Sequence, residues 1–246
     1  MISILMILIL LILFVIHVPI AFALGIASTV TLLIVHDVSL IVIPQRMFTG
    51  TDSFTLIAIP FFILAGSIME RGGISEKLID FAYALVGHIK GGLGLITVVG
   101  SMFFAGISGS AAADTAAMGK ITIPEMIRRG FSKSYATGIQ ATAGAIGIII
   151  PPSIVMILFS IVSGASVGKL FLGGVIPGIL IGLALMIAAY IIAKKRDYPT
   201  EEKTSFVNVI KTFLSSFPAL LMPVIIIGGI MLGIVTPTES AVVAVI

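Results

Sequence analysis

Cysteine is absent from the 246 residues, and charged side chains are scarce, at 10% of the chain. Without cysteine there are no disulfides, no thiolate nucleophile and no cysteine-ligated metal. The shortage of charge excludes more. An ordinary soluble domain carries about 25% charged residues and roughly 45–50% apolar ones. Here the apolar types make up 59% and the mean hydropathy is +1.26. Too few charges exist to cover a water-facing surface of this size, which argues against a cytosolic globular protein and against disorder alike. No glycine-every-third or heptad repeat points to a fibre. The composition is that of an integral membrane protein. The net charge of +3 gives no sign of a nucleic-acid partner, and basic residues report topology instead.

The first apolar block, residues 2–35, is interrupted only by His17 and Pro19. As one helix it would extend about 50 Å against a bilayer core of about 30 Å. It is therefore either one long kinked helix or two short spans breaking at His17-Val18-Pro19. His17 is a candidate proton sensor, or else satisfies a carbonyl freed by the break. A polar loop is expected over 36–53, and a span over about 54–69 that ends at Glu70-Arg71-Gly72-Gly73. Residues 75–90 carry Leu78, Ile79, Ala82, Leu85, Val86 and Ile89 at helical spacing, with Glu76, Lys77 and Asp80 off that stripe. Such a helix lies along the membrane interface rather than crossing it.

Residues 93–104 are apolar but short for a crossing. They run into the small, polar tip Ala105-Gly106-Ile107-Ser108-Gly109-Ser110 and a second small-residue run closed by Lys120. In and out on one side is the natural reading: two half-helices in a re-entrant hairpin over 92–119. Residues 135–164 are long enough to span, yet hold Gly144, Gly147 and Pro151-Pro152 near the middle. Two prolines remove two donors and restrict the residues before them, so this helix must break at membrane depth. An ordinary span, 170–193, ends in Lys194-Lys195-Arg196. Polar residues 197–204 read as a cytoplasmic linker. A second one-sided helix, 206–217, and a span, 218–235, follow before Thr236-Pro237-Thr238-Glu239. The basic patches at 120–133 and 194–196 belong in the cytoplasm by the positive-inside rule. The hairpin then opens to the cytoplasm, and the loop 36–53 falls outside.

Unpaired backbone is tolerated at bilayer depth only when buried in protein or lining a cavity. Two such interruptions in succession, a hairpin tip and a proline break, point to the substrate and ion site of a secondary transporter. Freed carbonyls suit a hard cation such as Na⁺, and exposed helix N-termini attract carboxylates. Asp114 is either functional, as an intramembrane ionisable group, or the cap of the second half-helix. Glu239 is placed for capping or for pairing with a cation. Laying residues 4–25 against 218–241 suggests an inverted repeat: 1–196 as the first copy (spans 1–70, one-sided helix 75–90, hairpin 92–119, broken helix 135–164, span 170–193), and 205–246 as the start of a second, truncated copy. The apolar run at the C-terminus reads as the edge of a longer protein.

Two rival readings compete with transport. Gly106-Ile107-Ser108-Gly109 matches the Gly-x-Ser-Gly of rhomboid intramembrane proteases, but their serine needs a histidine from a later span, and His17, His36 and His88 all precede Ser108. A passive channel would favour a continuous polar lining, where this chain offers isolated clusters.

Several motifs carry a resemblance: Val18-Pro19-Ile20-Ala21-Phe22-Ala23-Leu24-Gly25, Ile59-Pro60-Phe61-Phe62-Ile63-Leu64-Ala65-Gly66, Gly109-Ser110-Ala111-Ala112-Ala113-Asp114-Thr115-Ala116-Ala117, Pro151-Pro152-Ser153 and Thr236-Pro237-Thr238-Glu239-Ser240-Ala241. In this order they resemble the large membrane subunit of tripartite ATP-independent periplasmic (TRAP) transporters, from the first residue to the last. The resemblance implies an all-α polytopic protein of the bacterial inner membrane, not an enzyme. It implies an elevator that takes up organic acids, C4-dicarboxylates or sialic acid, with Na⁺ as coupling ion and no other cofactor. The implied partners are a small four-helix membrane subunit and a periplasmic substrate-binding protein. It also implies a Na⁺ site, built mainly on backbone carbonyls of Ala105, Ser108, Gly147, Ile150 and Pro152, with Ser110, Asp114 and Thr115 near the substrate. A second Na⁺ site and most of the substrate pocket would lie in the half not present here.

Overall fold

The computed structural model describes residues 2–35, 39, 41–201 and 203–246. Among these every regular element is helical. The backbone contacts divide the chain into two compact units, Met1–Ser53 and Phe54–Ile246.

In the first unit the long apolar block resolves into two helices, α1 (Ile2–Val15) and α2 (Ile20–Val35), packed on one another. The chain leaves α1 through His17 in the left-handed region (φ 61°). Val18 N–H donates to Leu13 O at 3.0 Å and His17 N–H to Phe14 O at 3.0 Å, which satisfies the carbonyls a helix end strands. The His17 backbone thus does the work expected of its imidazole, which is exposed and takes part in no side-chain hydrogen bond among the described residues. Pro19 needs no donor where it stands, just before α2. The expected loop 36–53 contains a helix, α3 (Val42–Thr51). Its proline, Pro44, falls in the first turn, where the missing N–H is no loss, and Thr49 and Thr51 return their hydroxyls to carbonyls one turn back. His36 lies outside the described residues.

The second unit is organised around one helix. A 3-10 turn (Phe54–Ile57) leads into α4 (Ala58–Arg71), then α5 (Ile74–Val86), α6 (Gly92–Ser108) and α7 (Ala111–Arg128). Nearly every side chain of α6 is buried. A helix apolar on all sides must be enclosed, and α6 contributes to both hydrophobic cores. Leu95, Ile96, Val98 and Val99 pack with Phe131, Tyr135, Ile139 and Ala189. Phe104 and Ile107 pack with Phe62, Leu78, Met118, Ile157, Phe171 and Met222. On α5 the buried face includes Phe81, whereas Leu85, assigned to the buried stripe, is exposed. The shift comes from packing on two sides: the Phe81 ring meets Phe103 of α6 at 5.6 Å and Phe213 at 5.5 Å.

Helix α8 (Lys133–Gly144), a 3-10 turn (Ala145–Ile148) and α9 (Ile154–Ser163) form the interrupted helix, with residues 149–153 outside regular structure. Helix α10 (Val167–Lys195) is continuous, with Pro177 inside it, and buries Gly174, Gly178 and Gly182, while Ile176, Leu180 and Ile187 are exposed. Small residues every fourth position let another backbone approach closely. A Cβ at Gly174 would collide with Ile149 O, one at Gly178 would lie 2.5 Å from Ile150 Cγ1, and one at Gly182 would meet Met102.

The one-sided helix and the span expected at 206–217 and 218–235 are one continuous helix, α11 (Phe206–Met231), with Pro218 and Pro223 inside it. Each proline forfeits one ladder bond, yet Ala219, Met222 and Ile226 bury one face of the helix, and Ser216 Oγ donates to Lys77 O at 2.8 Å. Helix α12 (Pro237–Val243) opens with a capping box. Thr236 N–H donates to Glu239 Oε2 at 2.7 Å, and Glu239 N–H to Thr236 Oγ1 at 3.3 Å. Of the two roles read for Glu239, the structure gives it the capping one. By length and composition, Phe54–Arg71, Val167–Lys195 and Phe206–Met231 are each able to cross a membrane.

Candidate functional site

The tip of the α6–α7 hairpin is two residues, Gly109 and Ser110. Helix α6 ends in a left-handed glycine (Gly109, φ 62°) whose N–H donates to Ala105 O at 3.2 Å. A side chain there would be strained by the backbone and would also sit 2.6 Å from Pro152 O, so only glycine lets the tip approach the break. Ser110 is extended (φ −135°, ψ 114°) and caps α7, its Oγ accepting from Ala113 N–H at 3.4 Å. The stretch from residue 93 to residue 118 is therefore two helices meeting at a turn, not one rod.

The break lies against this tip. Ile154 N–H, the first amide of α9, donates to Gly109 O at 3.2 Å. Ser153 caps α9, accepting from Met156 N–H at 3.4 Å while its Oγ donates to Ile148 O at 2.8 Å. Among the described residues, nothing donates to the carbonyl oxygens of Gly147, Ile150, Pro151 or Pro152. Two helix N-termini (α7, α9) and two helix C-termini (α6 and the 3-10 turn) thus converge, and the freed carbonyls are enclosed in protein, the only setting in which membrane-depth backbone of this kind persists.

The residues expected at the site fall as follows. Ala105, Ser108, Gly147 and Pro152 are buried at the tip and the break. Ile150 follows the 3-10 turn and wedges its side chain onto Gly178 of α10. Ser110 lines a cavity of about 210 Å³ with Ser108, Phe104 and Ile154. Thr115 packs its side chain against Gly144. Asp114 is fully buried at 0% exposure. It does not cap α7, because that position belongs to Ser110, four residues earlier. Its Oδ1 accepts from the Ser108 hydroxyl, and its Oδ2, which has no partner, sits where a Cβ of Gly147 would be.

Sequence reasoning missed one wall. The same cavity is lined from α4 by Ile63, Gly66, Ser67 and Glu70, and Gly66 meets Ser108 Cα at 3.4 Å from its would-be Cβ. The run 59–66 is a recognisable motif in the sequence, but nothing in its pattern places it at the tip. The Ser108 hydroxyl is engaged by Asp114 and by Ser110 N–H at 3.1 Å, and no histidine bonds it among the described residues, an arrangement unlike a serine–histidine nucleophile pair. No group of three or more His, Cys, Asp or Glu side chains comes together among the described residues, so a cation held here would rest largely on main-chain oxygens.

Buried broken helices inside an apolar, helical shell are the architecture on which membrane transporters build their sites. The sequence matches the profile of the tripartite ATP-independent periplasmic transporter, DctM component, over residues 7–246, and the chain belongs to that family. It is 46% identical over 94% of its length to the C4-dicarboxylate TRAP transporter large permease protein DctM of Vibrio cholerae, covering 51% of that protein. It is 43% identical over 90% of its length to the DctM protein of Pseudomonas aeruginosa, covering 52%. To the sialic acid TRAP transporter large permease protein SiaM of Vibrio cholerae it is 42% identical over 92%, covering 53%. The chain spans about half the length of these curated relatives.

Proposed function

We propose that this chain forms the ion-binding half of a TRAP large permease, a Na⁺-coupled carrier of an organic acid in the bacterial inner membrane. The observation that carries the reading is the junction of hairpin tip and proline break, where Gly109 O takes the first amide of α9 and the carbonyls of Gly147, Ile150, Pro151 and Pro152 are left without donors. Those oxygens, with Ala105 and Ser108 beside them, are the hard, neutral donor set that a dehydrated Na⁺ needs. The N-termini of α7 and α9 supply partial positive charge for a substrate carboxylate nearby, with Ser110 and Thr115 within the same region. The related permeases are named for C4-dicarboxylates, sialic acid and isethionate, so the cargo class is a small organic anion. A small membrane subunit and a periplasmic binding protein would complete the transporter, and an elevator motion would carry the site across.

Support for a re-entrant hairpin comes from where its ends lie along α10. The start of the hairpin, Gly91, abuts Ala193 near the C-terminal end of α10, while the break that touches the tip rests on Gly174 and Gly178. At 1.5 Å per residue those contacts are separated by roughly 22–28 Å along the helix axis, so the hairpin rises from one end and turns back at depth. The inverted repeat and the boundaries 1–196, 197–204 and 205–246 belong to the same proposal.

The test is uptake by the full-length permease with its partners in proteoliposomes. Replacing external Na⁺ by choline is expected to abolish accumulation of a labelled dicarboxylate or sialic acid. Accumulation unchanged in choline would overturn the coupling.

A further inference from the structure

Among the described residues Asp114 is the one charged side chain that is fully buried. No positive side chain answers it: the ion pairs among the described residues involve Lys90, Arg128 and Arg129, all outside the hairpin tip. One carboxyl oxygen accepts from Ser108 at the end of α6, and the other has no partner. That free oxygen lies against Gly147, at the start of the break, where a Cβ would stand, and Ala111 N of the first turn of α7 is 3.2 Å from that Cβ position. Beyond it the Gly147 carbonyl also lacks a donor. An ionised carboxylate with no positive side chain opposite it in a dry interior is strongly unfavourable. A cation between that oxygen and the break compensates it.

We infer that Asp114 supplies the anionic ligand of the ion site at the hairpin–break junction, so that the site is not purely a cage of neutral main-chain oxygens but carries one negative charge. The inference rests on the Na⁺ reading above and adds to it a side chain, a formal charge and a reason for the glycine at 147. Ser108 is then a positioning residue: its hydroxyl holds the far carboxyl oxygen and turns the near one toward the break. A site of net charge −1 becomes neutral on binding Na⁺, and the carboxylate adds a Coulomb attraction to the ion–dipole contacts of the carbonyls.

The experiment uses the purified full-length permease and reads thermal stability, not transport. NaCl is titrated at constant ionic strength with choline chloride, and the midpoint of the stabilisation gives an apparent Na⁺ constant. Asp114→Asn keeps the shape and the Ser108 contact but removes the charge; it should unfold in choline near the wild-type temperature and need about ten-fold more Na⁺ or beyond. Asp114→Ser, smaller and neutral, replaces it if the amide does not fold. A neutral variant whose Na⁺ constant stays within two-fold of wild type overturns the inference and leaves the ion site neutral. A wild-type permease that Na⁺ does not stabilise over choline overturns the coupling-ion reading itself, and the role of Asp114 with it.

Discussion

Gly147 and Ser108 face one another across Asp114, and they separate main-chain from side-chain contributions. A β-branched side chain at 147 has nowhere to go, since even a first carbon would overlap the Asp114 carboxyl and lie 3.2 Å from Ala111 N. Gly147→Val must push the break off the hairpin tip, scattering the carbonyls that no other group satisfies. It is expected to abolish Na⁺-dependent uptake by the full-length permease. Ser108→Ala deletes one hydroxyl and leaves the backbone in place. It should retain much of the sodium dependence, with a weaker Na⁺ constant because Asp114 loses its anchor. Equal loss in both variants, measured as uptake against Na⁺ concentration, would argue for ligation by the serine side chain instead. The tip shows how far single residues are legible. The glycines and the double proline mark the sites of interruption in the sequence itself, because no helix forms through them. The role of Asp114 was left open between function and capping, because capping depends on which residue takes non-helical φ/ψ at the helix start. That residue is Ser110.

At the scale of elements, the junction is held from behind by the glycine face of α10. Ile149 O lies against Gly174 and the Ile150 side chain against Gly178, so α10 fixes the outer edge of the break while the hairpin fixes the inner one. Gly178→Leu would drive a side chain into Ile150. Overpacking of this kind costs about 1–3 kcal/mol, visible as a lower unfolding temperature of the purified permease. Gly173→Leu, one residue before Gly174 and with nothing within 4 Å of its would-be Cβ, should leave that temperature nearly unchanged. Equal effects would mean that α10 does not support the break. The hairpin, the interrupted helix and the span 170–193 were readable because small, polar or proline residues punctuate otherwise apolar runs. Three elements were not. Helix α3 hides in a polar stretch whose proline happens to suit a first turn. Helix α11 runs through two prolines because tertiary burial of Ala219, Met222 and Ile226 outweighs the lost ladder bonds. The linker 197–204 looked inert, yet Tyr198 is buried with its ring 4.4 Å from Phe131 and 5.1 Å from Tyr135. The linker backbone also bonds the start of the hairpin through Gly91 N–H to Pro199 O at 3.2 Å. Such long-range docking leaves no local signal.

At the scale of the whole molecule, the ordering of charge along the second unit makes a claim about sidedness. Arg196 donates to Ser132 Oγ at 3.0 Å, Arg129 pairs with Glu201 at 3.1 Å, and Lys90 pairs with Asp197, so the basic residues of 128–133 and 194–196 form one cluster at one end of the unit. The Lys90 ammonium holds the Asp197 carboxyl below the usual carboxylate range. Lys169 sits at the other end of α10, 24 residues before Ala193, roughly 36 Å away along the helix axis. That distance exceeds the hydrocarbon core of about 30 Å, so one lysine must stand on each side if α10 crosses. By the positive-inside bias the cluster is expected in the cytoplasm. Because the chain has no cysteine of its own, single substitutions in the full-length protein report sidedness without background where its remainder also lacks accessible thiols. Lys133→Cys, exposed at the start of α8, should react with an impermeant maleimide only after right-side-out vesicles are opened, and Lys169→Cys should react while they are intact. The reverse pattern would invert the orientation and set the hairpin opening toward the outside. Labelling of both positions from one side would mean that α10 does not span, and with it the depth assigned to the hairpin–break junction would fail.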